Sequence, residues 1–160
     1  MNMYRNHNQF HPITKQMIAK MGMPANVDEL CGVASVTMLL RWNGQDIPLS
    51  RVLDKMSSSG AYEEGAGTYL RRTAKIFDSM HYLHRTPYLL MYLLNVVGNY
   101  AFIASIKRKN DGNHIVFVYK CNRTHVYYYD PNLTEVAQLM SHKEWNKVSN
   151  GRAVALKAKG

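Results

Sequence analysis

Cysteine is scarce in this chain, with only Cys31 and Cys121 among 160 residues. Two are too few for a disulfide framework. Without histidines at ligand spacing they make no zinc site either. Neither a metal nor a cofactor is expected. Long basic runs are also missing. The 20 Lys and Arg residues are scattered, in groups no denser than Arg71-Arg72 and Lys107-Arg108-Lys109, which argues against specific nucleic-acid binding. Long apolar runs are missing as well. The first 23 residues are polar and lack the apolar core that a signal peptide needs. The longest apolar run, Leu89 to Val97, is interrupted by Tyr92 and Asn95 and is too short to cross a bilayer. The protein is therefore expected in the cytoplasm, or delivered from it by a specialised secretion system. There is no internal repeat and no low-complexity linker.

What remains is a globular composition. Hydrophobic residues make up 46% and charged residues 19%, enough apolar content for one compact core. A polar N-terminal extension is expected over residues 1–24 and a single domain over 25–160. The formal net charge of +9 and pI near 9.6 favour acidic partners, such as an anionic membrane surface, an acidic protein substrate or an inhibitor or immunity protein.

Periodicity divides the chain in two. The first half reads as helices. One starts near Asp28 as N-cap, with Val33, Val36 and Leu40 on one face and Asn43-Gly44 at its end. A second runs from Pro48 toward Met56. A third spans Thr68 to Met80, with Leu70, Ala74 and Phe77 buried. A fourth starts at Thr86-Pro87 and, being apolar on most faces, is expected in the core. The second half reads as strands: Tyr100 to Lys107, His114 to Lys120, Thr124 to Tyr129 and Arg152 to Lys157. Ser141-x-x-Glu144 is a capping box that opens a short helix. The fold class expected is α+β, a helical lobe on an antiparallel sheet.

Cys31 falls in the first turn of the first predicted helix. Unpaired N–H groups and the helix dipole there favour an anion, so a thiol at this position is expected to ionise readily. Gly32 is expected to leave room for a substrate carbonyl beside the sulfur. If Lys120 pairs with Thr124 across the connection at Cys121-Asn122-Arg123, then His114 stands directly opposite Asp130. Such partners have Cβ atoms roughly 4.5–5.5 Å apart and share a face. A carboxylate there fixes the imidazole tautomer and leaves its other nitrogen free as a base. Cys121 lies along the same hairpin roughly 24 Å from His114, at about 3.4 Å per residue. It is read as a turn residue and not as a nucleophile or a disulfide partner of Cys31.

These residues bring a family into view. The run from Cys31-Gly32 to Leu40 resembles the nucleophile helix of the papain-like peptidases that cut double-glycine leaders from bacteriocin precursors. Gly67-Thr68, the strand from Ala101 to Ile106, Gly112-Asn113-His114-Ile115-Val116-Phe117-Val118, Tyr128-Tyr129-Asp130-Pro131 and Glu144-Trp145 follow in the family's order. The resemblance covers roughly residues 25 to 157. It implies a papain-like fold and a Cys31-His114-Asp130 triad acting on a peptide or protein. Members usually carry a Gln a few residues before the Cys, whose side-chain N–H joins the Cys N–H in an oxyanion hole. Position 25 is Ala25, and Asn26 is the nearest amide, so Asn26 and Cys31 are the expected oxyanion residues. Gln16 stands farther off and would need a folded-back N-terminus. The expected activity is that of a cysteine peptidase. Two alternatives stand beside it: a papain-like bacterial effector or toxin domain that deamidates or acyl-transfers at Gln side chains, and a binding module without turnover.

Overall fold

A computed structural model describes residues 10, 12–22, 29–108, 112–132 and 136–158. In chain order the elements are α1 (Lys15–Lys20), α2 (Cys31–Trp42), α3 (Leu49–Ser58), β1 (Tyr62–Glu63), β2 (Gly67–Thr68), α4 (Leu70–Ile76), β3 (His81–Leu83), α5 (Tyr88–Val96), β4 (Tyr100–Arg108), β5 (Gly112–Cys121), β6 (His125–Tyr129), β7 (Gln138–Ser141), α6 (His142–Val148) and β8 (Ser149–Lys157). Strands β3 to β8 form one antiparallel sheet in the order β3-β8-β4-β5-β6-β7. The α+β class read from the sequence is the one observed.

Strand alternation divides the sheet's side chains between two cores. Ile115, Phe117 and Tyr119 of β5 join Val33, Val36 and Leu40 of α2 in the larger one. Val116 and Val118 join Tyr88 and Met91 of α5 and Trp145 of α6 in the other. Residues from the stretch read as an N-terminal extension enter the larger core. The Phe10 ring packs 5.4 Å from Trp42, 5.6 Å from Phe117 and 5.2 Å from Tyr129, and Ile13 and Ile18 are buried there too. The Lys15 N–H then donates to the Pro131 carbonyl at 2.7 Å, which ties the start of α1 to the loop that follows β6.

Several expectations change in detail. The helix expected from Thr68 to Met80 is confined to Leu70–Ile76. Gly67 (φ 94°) belongs to a β1–β2 hairpin, and Phe77 leaves the helical region at φ −107°, ψ 133°. The start expected for α2 at Asp28 lies outside the described residues, and Leu30 holds the cap position with no side-chain hydrogen bond. The Thr86 cap is not made. Pro87 takes the cap position, and the buried Thr86 hydroxyl has no hydrogen-bond partner among the described residues. Helix α5 is not a core element. Tyr88 and Met91 are buried, but Leu89, Leu93 and Val97 are 63%, 45% and 78% exposed. The helix lies on the outside of the sheet, against β4, β5 and α6, so only one side of it is covered. The capping box does form, with Ser141 Oγ accepting from the Glu144 N–H at 3.2 Å.

Trp145 is among the largest fully buried side chains and sits in the core under α5 and α6. Trp145→Ala is expected to cost about 3–5 kcal/mol, the range for deleting a large buried aromatic. The shift in urea midpoint at unchanged m-value measures it.

Candidate active site

Cys31 is the first residue of α2. The first hydrogen bond of this helix runs from the Ala34 N–H to the Leu30 carbonyl at 2.8 Å. The N–H groups of Cys31, Gly32 and Val33 therefore have no partner within the helix. They lie at the N-terminal end of a twelve-residue helix, where the dipole favours negative charge. Cys31 is partly exposed, which suits a reacting group.

His114 is the third residue of β5, and Asp130 follows the last residue of β6. Both are buried, each 4% exposed. The His114 Nε2–H donates to Asp130 Oδ1 at 2.6 Å. The register that brings them together differs from the one expected. Phe117 pairs with Tyr129 and Val118 with Tyr128, then a bulge at Tyr119 shifts the pairing to Lys120 with Tyr127 and Cys121 with Val126. Extending the first register by one residue sets Asp130 level with Val116, not His114. The connection is longer than expected because Asn122 closes it, its side-chain oxygen accepting from the Thr124 and His125 N–H groups at 2.9 and 2.8 Å. The displacement is two residues, so the alternation keeps both side chains on one face. A diagonal pair of this kind is within reach of long side chains. Asp130 Oδ1 also accepts from the Asn132 N–H at 2.9 Å, which holds the carboxylate in place just before α1's anchor at Pro131.

With Nε2 engaged by Asp130, the other ring nitrogen, Nδ1, is the one left for the Cys31 sulfur, and the two side chains act on each other's charge. Burial by itself would push the Cys31 thiol up. The hydrogen bond from His114, its charge and a backbone hydrogen bond at Ile115 outweigh that, and the thiol falls below its ordinary value of 9.0. Burial by itself would lower His114. Hydrogen bonds to Asp130 and Cys31 and their charges reverse this, and the imidazole rises above its ordinary 6.5. Each group thus favours the charged form of the other. Cys121 has the opposite setting. It is 2% exposed, has no such partner, and burial pushes its thiol up to about 12. Both cysteines are free.

Cys31 opens into a cleft of about 620 Å³, walled by the β1–β2 hairpin and the start of α4 on one side and by strand residues Ser105, Asn113 and Ile115 on the other. No protein-family model matches the chain. No curated protein matches it either. Solved structures do. The chain is similar to a double glycine motif protease from an AMS/PCAT transporter, solved in complex with the leader peptide, at TM-score 0.58 and 17% identity over 78% of this chain and 81% of that one. It is also similar to the peptidase domain of Streptococcus ComA, a bi-functional ABC transporter involved in a quorum sensing pathway, at TM-score 0.64 and 17% identity over 86% of this chain and 97% of that one. The chain has the papain-like peptidase fold. At this identity the likeness carries the fold, and the chemistry rests on the residues themselves.

Within the papain-like fold, Gly32 has a role other than the one expected of it. A Cβ at Gly32 would lie 2.2 Å from Thr68 Oγ1 and 2.4 Å from Thr68 Cβ. Its missing side chain makes room for the β1–β2 hairpin against the head of α2, and does not leave space for a carbonyl. Gly32→Ala is expected to destabilise the protein by about 1–3 kcal/mol, because the clash exceeds the gain in helix propensity. Thr68→Gly in the same chain should restore part of the loss, as read from urea midpoints.

Of the other expected residues, Asn26 lies outside the described residues. Gln16 is exposed on α1, whose start is tied to the loop after β6 by the bond from Lys15 to Pro131, and it does not line the cleft. The sequence reading missed the lining residues Glu29, Arg71, Tyr82, His84 and Arg152. The only signal was the glycine spacing at Gly65 and Gly67, both at positive φ, which marks a turn ahead of the Arg71 helix. Glu29 is engaged locally, accepting from the Gly65 N–H at 2.8 Å and the Tyr62 hydroxyl at 3.3 Å. Burial, and then the Glu29 charge, push that phenol up to about 12, so it stays a donor. Among the described residues there is no cluster of His, Cys, Asp and Glu suited to a metal, and no helix is long and apolar enough to cross a membrane.

Proposed function

We propose that the protein is a cysteine peptidase that hydrolyses a peptide bond of a peptide or protein substrate. The observation that carries this reading is the grouping of Cys31, at the tip of a helix and open to a cleft, with a His114 that is hydrogen-bonded to Asp130 and shifts the thiol down. The likeness to a protease solved with a leader peptide supports a peptide as the substrate.

The Cys31 thiolate attacks the carbonyl carbon of the scissile bond. The oxygen that becomes negative lies at the head of α2, where the free Cys31 N–H donates to it, joined by a side-chain amide from the preceding segment, Asn26 or Gln16. The imidazolium of His114 gives its proton to the departing amine, and the C–N bond breaks to leave a thioester. His114, now neutral, takes a proton from water. The hydroxide adds to the thioester, the carboxylic product leaves, and the thiolate returns. Asp130 stabilises the imidazolium and keeps its ring in place throughout.

The test is incubation of the purified protein with a peptide library, read by mass spectrometry. New peptide termini that vanish in Cys31→Ala are expected. Intact chains gaining one dalton at Gln would instead indicate deamidation, and no change with slow thiol labelling would indicate a binding module.

A further inference from the structure

The cleft beside Cys31 carries an imbalance of charge that the chemistry at the sulfur does not use. Among the described residues its one lining carboxylate, Glu29, is occupied by the Gly65 N–H and the Tyr62 hydroxyl. Against it stand two guanidinium groups, Arg71 and Arg152, with the His84 ring beside them. The Arg71 guanidinium lies over the Tyr82 ring, 5.1 Å from its centroid, and the His84 ring stacks on the other part of that assembly, 6.3 Å from Tyr82 at 27°. Tyr82 pairs with Val154 and Leu83 with Ala153. Continuing that register by one residue brings His84 level with Arg152, on the Tyr82 face of the sheet. The result is one wall built as Arg71, Tyr82, His84 and Arg152.

Neither arginine pairs with a carboxylate among the described residues. The contrast with its neighbour is informative: Arg72, the next residue, is bonded to Glu63 at 3.3 Å. The two guanidinium groups on one wall carry like charge, and an anion placed between them is favoured. Guanidinium groups present paired N–H donors that match a carboxylate. Stacking on Tyr82 holds the Arg71 group in one place, so less freedom is lost when a ligand binds.

We propose that this wall binds a carboxylate of the substrate peptide and so selects an acidic segment beside the bond presented to Cys31. The inference rests on the cysteine-peptidase reading for what the bound peptide is used for. Binding itself is scored without turnover.

The probe is a set of fluorescein-labelled peptides in a Gly-Ser background, tested by anisotropy on the Cys31→Ala protein at fixed salt. Three are amidated at the C-terminus and carry Glu-Glu, Gln-Gln or Lys-Lys at the centre. A fourth carries Gln-Gln and a free terminal carboxylate. The Glu-Glu peptide is expected to bind about tenfold tighter than amidated Gln-Gln, as one charge-assisted contact would give. A similar gain for the fourth peptide alone would identify the terminal carboxylate as the group held. Either gain should fall to less than about twofold in Arg71→Ala/Arg152→Ala. It should survive in Lys143→Ala/Lys147→Ala, which removes equal charge from the exposed face of α6. Equal binding of all the peptides overturns the proposal. So does a gain that persists without the two arginines, because the overall charge would then explain it. Loss of the hydrolase reading would show differently, as a wild-type protein that binds these peptides but cuts none.

Discussion

Cys31→Ala is expected to lower kcat/KM on any peptide the protein cuts by about 10⁴-fold or more, the scale on which removing a covalent nucleophile acts. The substitution leaves the backbone N–H of position 31 and the cleft in place, so peptide binding should be retained while turnover is lost. His114 is useful in catalysis only with a sulfur to activate. The double variant Cys31→Ala/His114→Ala should therefore be no slower than Cys31→Ala alone, since residues that act as one unit are not additive. Steady-state rates of the three proteins against one cleaved peptide check this. Two losses that multiply would mean that the groups act separately.

His114→Ala is expected to cost about 10²–10⁴-fold in kcat/KM, the range for a positioned acid–base group, and to change the shape of the pH profile as well. Two opposed shifts define the window of activity. The thiol of Cys31 is lowered, so the thiolate is present above that lowered value. The imidazole of His114 is raised, so the imidazolium is present below that raised value. Activity should rise with pH as Cys31 loses its proton and fall as His114 loses its own. In His114→Ala the acid limb should move up toward 9.0, the ordinary thiol value, and the alkaline limb of His114 should disappear. Asp130→Asn separates two roles. Its amide oxygen can still accept from Nε2–H, but the negative charge is gone, so the alkaline limb should move to lower pH with a smaller loss of kcat. Stability follows the same sign. The raised His114 contributes stabilisation that is fully present below pH 6.5 and is lost as pH rises through its folded value.

The parts of the fold written in local patterns were legible in the sequence. The apolar spacing of α2, the capping box at Ser141 and the strand runs before and after His114 all lie in short stretches whose periodicity matches their elements. The meeting of His114 with Asp130 could be anticipated because alternation tolerates a shift of two residues. The register itself could not, because the bulge at Tyr119 and the Asn122 turn leave no clear pattern. The exposure of α5 was hidden for another reason. An apolar helix on the outside of a sheet has the composition of a buried one, and only the tertiary arrangement shows which side is covered. The β1–β2 hairpin depends on Gly32 and Thr68, which are far apart in sequence and meet only in space. The wall with its two arginines likewise joins Arg71, His84 and Arg152 from three separate stretches of the chain. Charge composition pointed toward acidic partners, but it named no surface that would hold one.

The central claim is that an imidazole braced by a carboxylate keeps the Cys31 sulfur ionised. The most direct measurement is the rate of iodoacetamide alkylation at each cysteine as a function of pH, by peptide mass spectrometry, in the wild type and in His114→Ala. Cys31 should react well below pH 9.0 while Cys121, buried and pushed up to about 12, stays unmodified. In the variant the Cys31 rate at pH 6 should drop by about tenfold or more as its thiolate fraction falls. Identical Cys31 curves in the two proteins, both centred on the ordinary thiol value, would contradict the account.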